Sequence, residues 1–540
     1  MPPPKLSLFR TTYSLSAGPN RRVTASLPNE ARSESAVAIN PADPSNMICA
    51  SKKFYDRAKY MSTIGISFTK DGGTTWTEVP LPPTPGHPEF TWLVDPDVAF
   101  AADGTAYLWG EPVDNPPTIS TIAMVAYRSV DGGANWTSMA VLHNDSGDDK
   151  GWIAVDQTPG SPHYGTLYAV WGADTPLRFA RSKDQAQTWK GIDGQGAGSN
   201  VDAPTWTYAP AMAIGPDGTI HVAWQSPTQS TSIIYTRSKD GGESFEPFRT
   251  IASNVKTFSA ALPIHEGWPA FPGASFRLTT MATLAVSSDQ RVIAAWPDMR
   301  EGVGRIYFSS SDDNGDTWPA ASQEVPMLPW FPKDTLHHFL PQLAVTGDGV
   351  FGCAFYQYDP TLNPPSIDVR IAPLWPGSSA FDFPLTITDH PWDPAINPPT
   401  VHNTTTVTFI GDYFGIAAGK NFFELVWTDT RTGLQELFAA SVEVNVSPGY
   451  IPPEVVATII AGVSQDGGGL VFIGGHIIRI PPWDPGVDLL QAFSAVVSAR
   501  SIGSRAGRAL EATAWRTIAA IATENAKAAA SRTTAAGEAR

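Results

Sequence analysis

An all-β fold, a seven-bladed β-propeller, is what this 540-residue sequence predicts, and three observations carry the prediction. A short turn-forming pattern recurs five times, and an apolar strand with an aromatic-ended partner recurs seven times. The spacing between copies, about 60 residues, suits a four-stranded blade, and radial repetition is how so much strand avoids exposed edges.

The five turns are Thr69–Trp76, Ser129–Trp136, Ser182–Trp189, Ser238–Phe245 and Ser311–Trp318. Each carries one aspartate at the same position, Asp71, Asp131, Asp184, Asp240 and Asp313, so the aspartates recur every 53 to 73 residues. An aspartate carboxylate accepts bonds from the backbone of its own turn, glycine supplies positive φ, and the closing aromatic buries its ring under neighbouring strands. The third copy has lost its glycines. This eight-residue spacing resembles the Asp-box, or bacterial neuraminidase repeat, of the sialidase superfamily. The resemblance implies a propeller, with the boxes as structural hairpins.

The strand pattern places inner strands at Ala36–Ile39, Val98–Phe100, Ile153–Val155, Met212–Ile214, Leu284–Val286, Leu343–Val345 and Phe414–Ile416. Their partners end at Phe54, Trp109, Trp171, Trp224, Trp296, Phe355 and Trp427. Six blades, the number in catalytic sialidases, is the alternative count. To close the ring, the last blade takes an outer strand from Arg22–Leu27, so the propeller occupies 20–446 behind an N-terminal extension, 1–19.

Composition shifts at Ser447–Pro453, which reads as a linker. Residues 447–540 then read as that linker, a short helix at Glu454–Val463, a hairpin of Leu470–Ile473 with His476–Ile480, and a small C-terminal α-helical appendage. In 487–532 apolar residues recur at helical spacing, and Arg500, Arg505, Arg508 and Arg516 make it the most basic part of the chain. This segment is the expected surface for self-association or a protein partner.

The 36 Lys and Arg stand against 52 Asp and Glu, a formal net charge of −16, which argues against nucleic acid or an anionic membrane as partner. No run reaches transmembrane length, and Met1–Lys5 lacks the apolar stretch of a secretory signal. Location stays open between the cytoplasm and an exported form. Cys49 and Cys353 fall in strands of different blades and read as small core residues. No zinc spacing occurs and no cofactor is expected; calcium in the acidic loop Asn144–Asp149 is the one weak metal reading.

In a blade whose strands run A to D outward, the repeated turns lie between C and D. Functional residues are then expected on the opposite face, where A begins and B ends. Those positions hold Glu34, Asp56 and Arg57; Asp95 and Glu111; Asp149, Lys150 and Asp174; and Tyr208. The circuit continues through Arg277, Asp298 and Arg300, His337 and His338, and Asp412, Tyr413, Asp429 and Arg431. So much charge marks a polar, concave mouth with a carbohydrate as its expected ligand. Asp298 with Arg300, and Asp429 with Arg431, read as local pairs. Arg277 reads as a bidentate grip on a substrate carboxylate, with Arg300, Arg431, Arg57 and Tyr208 as further binding candidates.

The resemblance to sialidases implies a tyrosine nucleophile, for which Tyr413 beside Asp412 is the candidate. It also implies an aspartic acid donor, Asp95 or Asp56, and a glutamate base, Glu34 or Glu111. The chain departs from that family by reading Ala31-Arg32-Ser33-Glu34-Ser35 where a Phe-Arg-Ile-Pro-like element belongs. Phe9-Arg10-Thr11-Thr12 is the nearest match. A polysaccharide lyase acting on an acidic sugar would use Arg277, His338 and Tyr413, and an endoglucanase would use Asp95 and Asp412. The rival class is a noncatalytic scaffold that docks proteins through the C-terminal helices.

Overall fold

The computed structural model describes residues 9–27, 30–84, 86–87, 90–114, 121–143, 148–173, 176–201, 207–226, 231–327, 334–450, 469–473 and 476–480. They form two compact units, 17–442, and 1–16 with 443–540.

The larger unit is a seven-bladed β-propeller. Blades 1 to 6 are four-stranded antiparallel meanders whose innermost strands are Ala31–Ile39, Leu93–Phe100, Asp148–Val155, Tyr208–Ile214, Thr283–Val286 and His337–Val345. Blade 7 takes Gly415–Ala418, Phe422–Asp429 and Glu436–Tyr450 from the C-terminal side and Arg21–Arg22 from the N-terminal side. Arg21 pairs with Ala439 and Arg22 with Phe438, and the Val23 amide donates to the Leu437 carbonyl at 2.8 Å. The seam is thus a strand from before blade 1, shorter than the expected 22–27. The helices among the described residues are single turns, Phe258–Ala261 and Ile192–Gly194.

The core lies between neighbouring blades. Aliphatic and aromatic side chains of blades 1 and 2 form one cluster, those of blades 2 and 3 the next, and so on to blades 5 and 6, and a further cluster joins blades 7 and 1 through Val23, Val37, Val426 and Leu437. The aromatics that end the second strands, Phe54, Trp109, Trp171, Trp224, Trp296, Phe355 and Trp427, are fully buried, and Trp109, Trp171, Trp224, Trp296 and Phe355 lie in the clusters between blades. Cys49 and Cys353 are buried and unpaired.

Each repeated turn joins the third strand of its blade to the fourth or to the chain leading to it, and all five share one hydrogen-bond pattern. In the second copy, Ser129 Oγ donates to Asp131 Oδ1 at 2.8 Å and accepts from the Gly133 amide at 2.9 Å. The Asn135 amide and Nδ2 donate to the two oxygens of Asp131 at 2.9 and 2.7 Å. The third copy makes the same bonds without glycine, because Gln185 and Ala186 adopt φ of 59° and 66°. These turns lie opposite the end where first strands begin.

In the smaller unit, Gly469–Ile473 pairs with His476–Ile480 with Ile473 opposite His476, the hairpin expected there. The strand from Glu436 runs to Tyr450, through the start of the expected linker. The helices expected at 454–463 and within 487–532 lie outside the described residues, as does Asp174.

Candidate functional site

One backbone device builds the site. The innermost strands of blades 1, 2, 3, 4 and 6 each contain a β-bulge near their start, with the extra residue at positive φ: Glu34 (53°), Asp95 (48°), Lys150 (45°), Ala209 (46°) and Leu340 (49°). A bulge bends the strand and re-aims a side chain, and left-handed backbone on a non-glycine residue is a strain that persists where the surroundings over-determine it. In blades 1 to 3 the bulged residues are charged, and their side chains meet.

Lys150 is the centre. Its Nζ lies 3.1 Å from Asp95 Oδ1, 3.1 Å from Asp412 Oδ2 and 3.3 Å from Glu34 Oε1. Its backbone amide donates to Glu111 Oε2 at 3.1 Å, and the other oxygen of Glu111 accepts from Thr121 Oγ1. Asp412 follows Gly411, whose φ is 105° and where a Cβ would lie 2.9 Å from the Glu34 nitrogen, so that a side chain has no room. Arg277 arrives from the connection between blades 4 and 5, where its amide donates to the Thr408 carbonyl. Its Nε and Nη2 donate to the two oxygens of Asp412 at 3.2 and 2.6 Å. Its guanidinium carbon lies 4.3 Å from the Trp268 ring centre and 4.5 Å from that of Phe409. Lys52 completes the set, 3.5 Å from Glu34 Oε2, donating to Tyr60 Oη at 3.3 Å and facing the Tyr60 and Phe409 rings.

Five carboxyl groups therefore face three cations in a setting that splits their acidities. Burial, with Asp95 beside it, pushes Glu34 up to about 7. Burial also pushes Asp149 up to about 6 and Glu111 well above the usual carboxylate range. In Asp95 the same desolvation is outweighed by Lys150 and Lys52, and in Asp412 by Arg277 and Lys150, so both are held low. Asp95, Glu111 and Asp149 each offer an oxygen, all within 4.8 Å of one another. Of the described residues these three alone form a group that could hold a hard cation, and Lys150 already supplies positive charge there. Asp149 is the half-buried member, alongside the half-buried rings of Trp152, Tyr208 and Trp268.

Tyr413 borders this cluster and an axial cavity of about 190 Å³ lined by all seven innermost strands, among them Val37, Asp97, Ile153, Met212, Leu284 and Ile416. Its ring centre is 5.7 Å from Lys150 Nζ, and its hydroxyl donates to the Pro96 carbonyl at 3.1 Å. Burial and the carboxyls of Glu34 and Asp95 push that phenol well above its ordinary range.

Of the residues singled out from sequence, the structure brings together Glu34, Asp95, Glu111, Asp149, Lys150, Tyr208, Arg277, Asp412 and Tyr413. Arg277 does grip a carboxylate bidentately, but it is that of Asp412 in the same chain. Others lie apart. Buried His338 meets Gln357 Oε1 at 3.2 Å, and burial with Arg305 nearby lowers it to about 3. His337 stacks on Phe271 and accepts from the Gly304 amide. Arg300 donates to Asp298 at 2.5 Å and Arg431 to Asp429 at 2.7 Å, the local pairs expected from their spacing. Arg57 donates to the Asn397 carbonyl, and Asp56 accepts from the amides of its own turn. Of the acidic loop 144–149, Asp148 meets His143 and Asp149 joins the site.

Lys52 is the participant absent from the positions read from sequence, where Lys150 and Asp149 stood without an assigned role. Lys150 occupies in blade 3 the position that Glu34 and Asp95 hold in blades 1 and 2.

No protein-family model matches this chain. A xyloglucanase from Paenibacillus sp is 27% identical over 204 residues, 33% of this chain and 18% of that protein. The chain thus covers less than a fifth of that curated relative. Among solved structures, a protein of unknown function from Dyadobacter fermentans aligns with a TM-score of 0.43 at 15% identity, covering 80% of this chain and 99% of that one. An alpha-L-arabinofuranosidase from Fusarium graminearum gives 0.37 at 12%, covering 65% and 93%. The NanB sialidase from Streptococcus pneumoniae gives 0.38 at 12%, covering 62% and 66%.

Proposed function

We propose that the axial mouth binds a carbohydrate and cleaves a glycosidic bond, with Asp149 as proton donor and Asp95 as the carboxylate facing it. The observation that carries this reading is the split acidity of two carboxyls whose oxygens lie within 4.8 Å: Asp149, half-buried and pushed up to about 6, beside Asp95, held ionised by Lys150 and Lys52. A pair pushed apart in this way supplies an acid and a base or nucleophile at one pH, and so short a separation belongs with retaining rather than inverting geometry. Glu34, pushed up to about 7, supports Asp95 as a hydrogen-bonding neighbour. Tyr413 is the poorer nucleophile, because it would have to give up Pro96 and ionise beside Glu34 and Asp95. The five turns, with their shared bond pattern, support kinship with Asp-box propellers of the sialidase superfamily at the level of fold.

The test is reducing-sugar release from a polysaccharide panel that includes xyloglucan and arabinan. Asp149→Asn and Asp95→Asn should each lower the rate by roughly 10²-fold or more, the scale of a general acid or base. Either variant keeping more than a tenth of the activity would remove the assignment. One observation favours a second reading, a propeller that binds without cleaving: Glu34, Asp95, Lys150 and Asp412 are at most 5% exposed and satisfy one another. A wild-type protein that retains glycans but releases no sugar from the panel decides for it.

A further inference from the structure

We infer that the mouth accepts a neutral sugar and excludes anionic ones, sialic and uronic acids included. The inference rests on the reading of the mouth as a carbohydrate site and deepens it by naming the substrate class.

Recognition of a sugar carboxylate needs a cation with a free donor edge, since a carboxylate brought out of water without one loses its hydration uncompensated. Among the described residues the site has three cations, and each faces a carboxylate of this chain. The Nε–Nη2 edge of Arg277 is taken by Asp412, and its guanidinium packs against Trp268 and Phe409. The Lys150 ammonium has three N–H bonds to give and three carboxyls around it, Asp95, Asp412 and Glu34. Lys52 faces Glu34, the Tyr60 hydroxyl and two aromatic rings, and is 4% exposed. Arg57, further out, gives Nη1 to the Asn397 carbonyl.

What remains turned toward a ligand is acceptor-rich. Asp149 is half-buried, and among the described residues no donor meets its carboxylate, with Asp95 and Glu111 beside it. An incoming carboxylate would meet the ionised Asp95 at short range, where the three cations named above each already face a carboxylate of this chain, and like charge at that distance discriminates strongly. Sugar hydroxyls are the complementary partners, because each donates a proton to a carboxylate oxygen. The half-buried rings of Trp152, Tyr208 and Trp268 add apolar surface of the kind a pyranose or furanose face covers.

The test uses the wild-type chain at pH 7 with fluorogenic glycosides of two kinds: a sialoside and a glucuronide against a neutral xyloside, glucoside and arabinofuranoside. Binding to neutral and acidic glycans on an array is measured in parallel. Hydrolysis of a neutral glycoside with kcat/KM at least 100-fold above either acidic one supports the inference; comparable or faster turnover of an acidic one overturns it and leaves the glycosidase reading standing. If nothing is hydrolysed, the cleavage reading fails, and the array decides this inference alone: retention of neutral glycans only supports it, retention of acidic glycans overturns it. No retention of either overturns both. The origin of the selectivity is tested with Asp412→Asn, which frees the Arg277 edge and should raise binding of glucuronate-terminated glycans relative to neutral ones at least tenfold. An unchanged ratio overturns the role of Asp412.

Discussion

Replacing Lys150 with methionine is the most informative single perturbation, because one ammonium is shared by three carboxyls. The side chain keeps its approximate length and loses its charge. Each contact at 3.1 Å is worth about 5 kcal/mol of gross attraction at an effective dielectric near 20. The ammonium's own desolvation, several kcal/mol, offsets much of that sum. A second bound comes from protonation. Asp412 keeps Arg277, so Asp95 is the group left without its main partner. It escapes by taking up a proton, which at pH 7 costs about 1.4 kcal/mol for each unit above an unfolded value near 3.9, or about 4 kcal/mol. That agrees with the ~3–5 kcal/mol typical of stranding a buried charge.

Protonation of Asp95 also sets the pH dependence. Near pH 4 protonation of Asp95 costs almost nothing, and a methionine beside a neutral carboxyl is then a fair replacement for an ion pair, so the variant should lie within about 1 kcal/mol of the wild type. The gap should widen by about 1.4 kcal/mol per pH unit from 4 to 7. Urea denaturation of both proteins at pH 4, 5, 6 and 7, followed by tryptophan fluorescence, measures it. A gap under 1 kcal/mol at pH 7, or one of constant size across the series, would show that Lys150 does not hold Asp95 ionised.

The remaining expectations concern the frame. Glu34, Asp97 and Glu424, pushed up to about 7, and Asp149, pushed up to about 6, bind protons more tightly in the folded chain. Their contribution is complete below about pH 4 and is lost as pH rises through 6 and 7, so thermal melts should peak on the acidic side; a maximum at pH 7 or above would contradict this. Asp131→Ala removes an acceptor used by Ser129 and twice by Asn135 and should cost about 1–3 kcal/mol, while binding at the opposite face stays unchanged. A binding loss that exceeds the stability loss would break the separation of the two faces. Gln185→Gly should stabilise by roughly 0.5–1 kcal/mol, because the exposed glutamine is held at φ 59° where glycine is unstrained; an unchanged denaturation midpoint would argue against it.

The ring was legible because each blade announces itself locally. The turn needs only a hydroxyl, an aspartate and two residues at positive φ, and the sheet contact needs an aromatic at a fixed place, so eight consecutive residues contain the whole interaction. Even the degenerate third copy keeps Ser182, Asp184 and Thr188, the residues that make its bonds. The site was legible as a ring of positions but not as a set of partners. Arg277 and Asp412 are 135 residues apart, and nothing local shows that one occupies the other. For that reason a free carboxylate clamp was the natural reading of Arg277, whereas its Nε–Nη2 edge meets Asp412. Local pairs two residues apart, Asp298 with Arg300 and Asp429 with Arg431, were legible for the opposite reason.

The bulges are where the two levels join. Their residues are unlike, Glu34, Asp95, Lys150, Ala209 and Leu340, so no residue type marks the position, yet the backbone does the same thing at each. Five non-glycine residues held at positive φ at equivalent places cannot be an accident of one loop; the strain is a property of the repeat, retained whether the side chain is ionic or apolar. The repeat therefore supplies a generic socket, and the sequence decides what each socket presents. Blades 1 to 3 present charge, joined by Asp412 before blade 7, whereas blades 4 and 6 present Ala209 and Leu340, both buried. The polar centre accordingly occupies one arc of the ring, with apolar Met281 and Ala209 beside Tyr413 and Tyr208 at its edge. A ligand held by this mouth makes its hydrogen bonds to one side and its apolar contacts to the other, an arrangement that suits a sugar ring with one hydroxyl-bearing edge and one hydrophobic face.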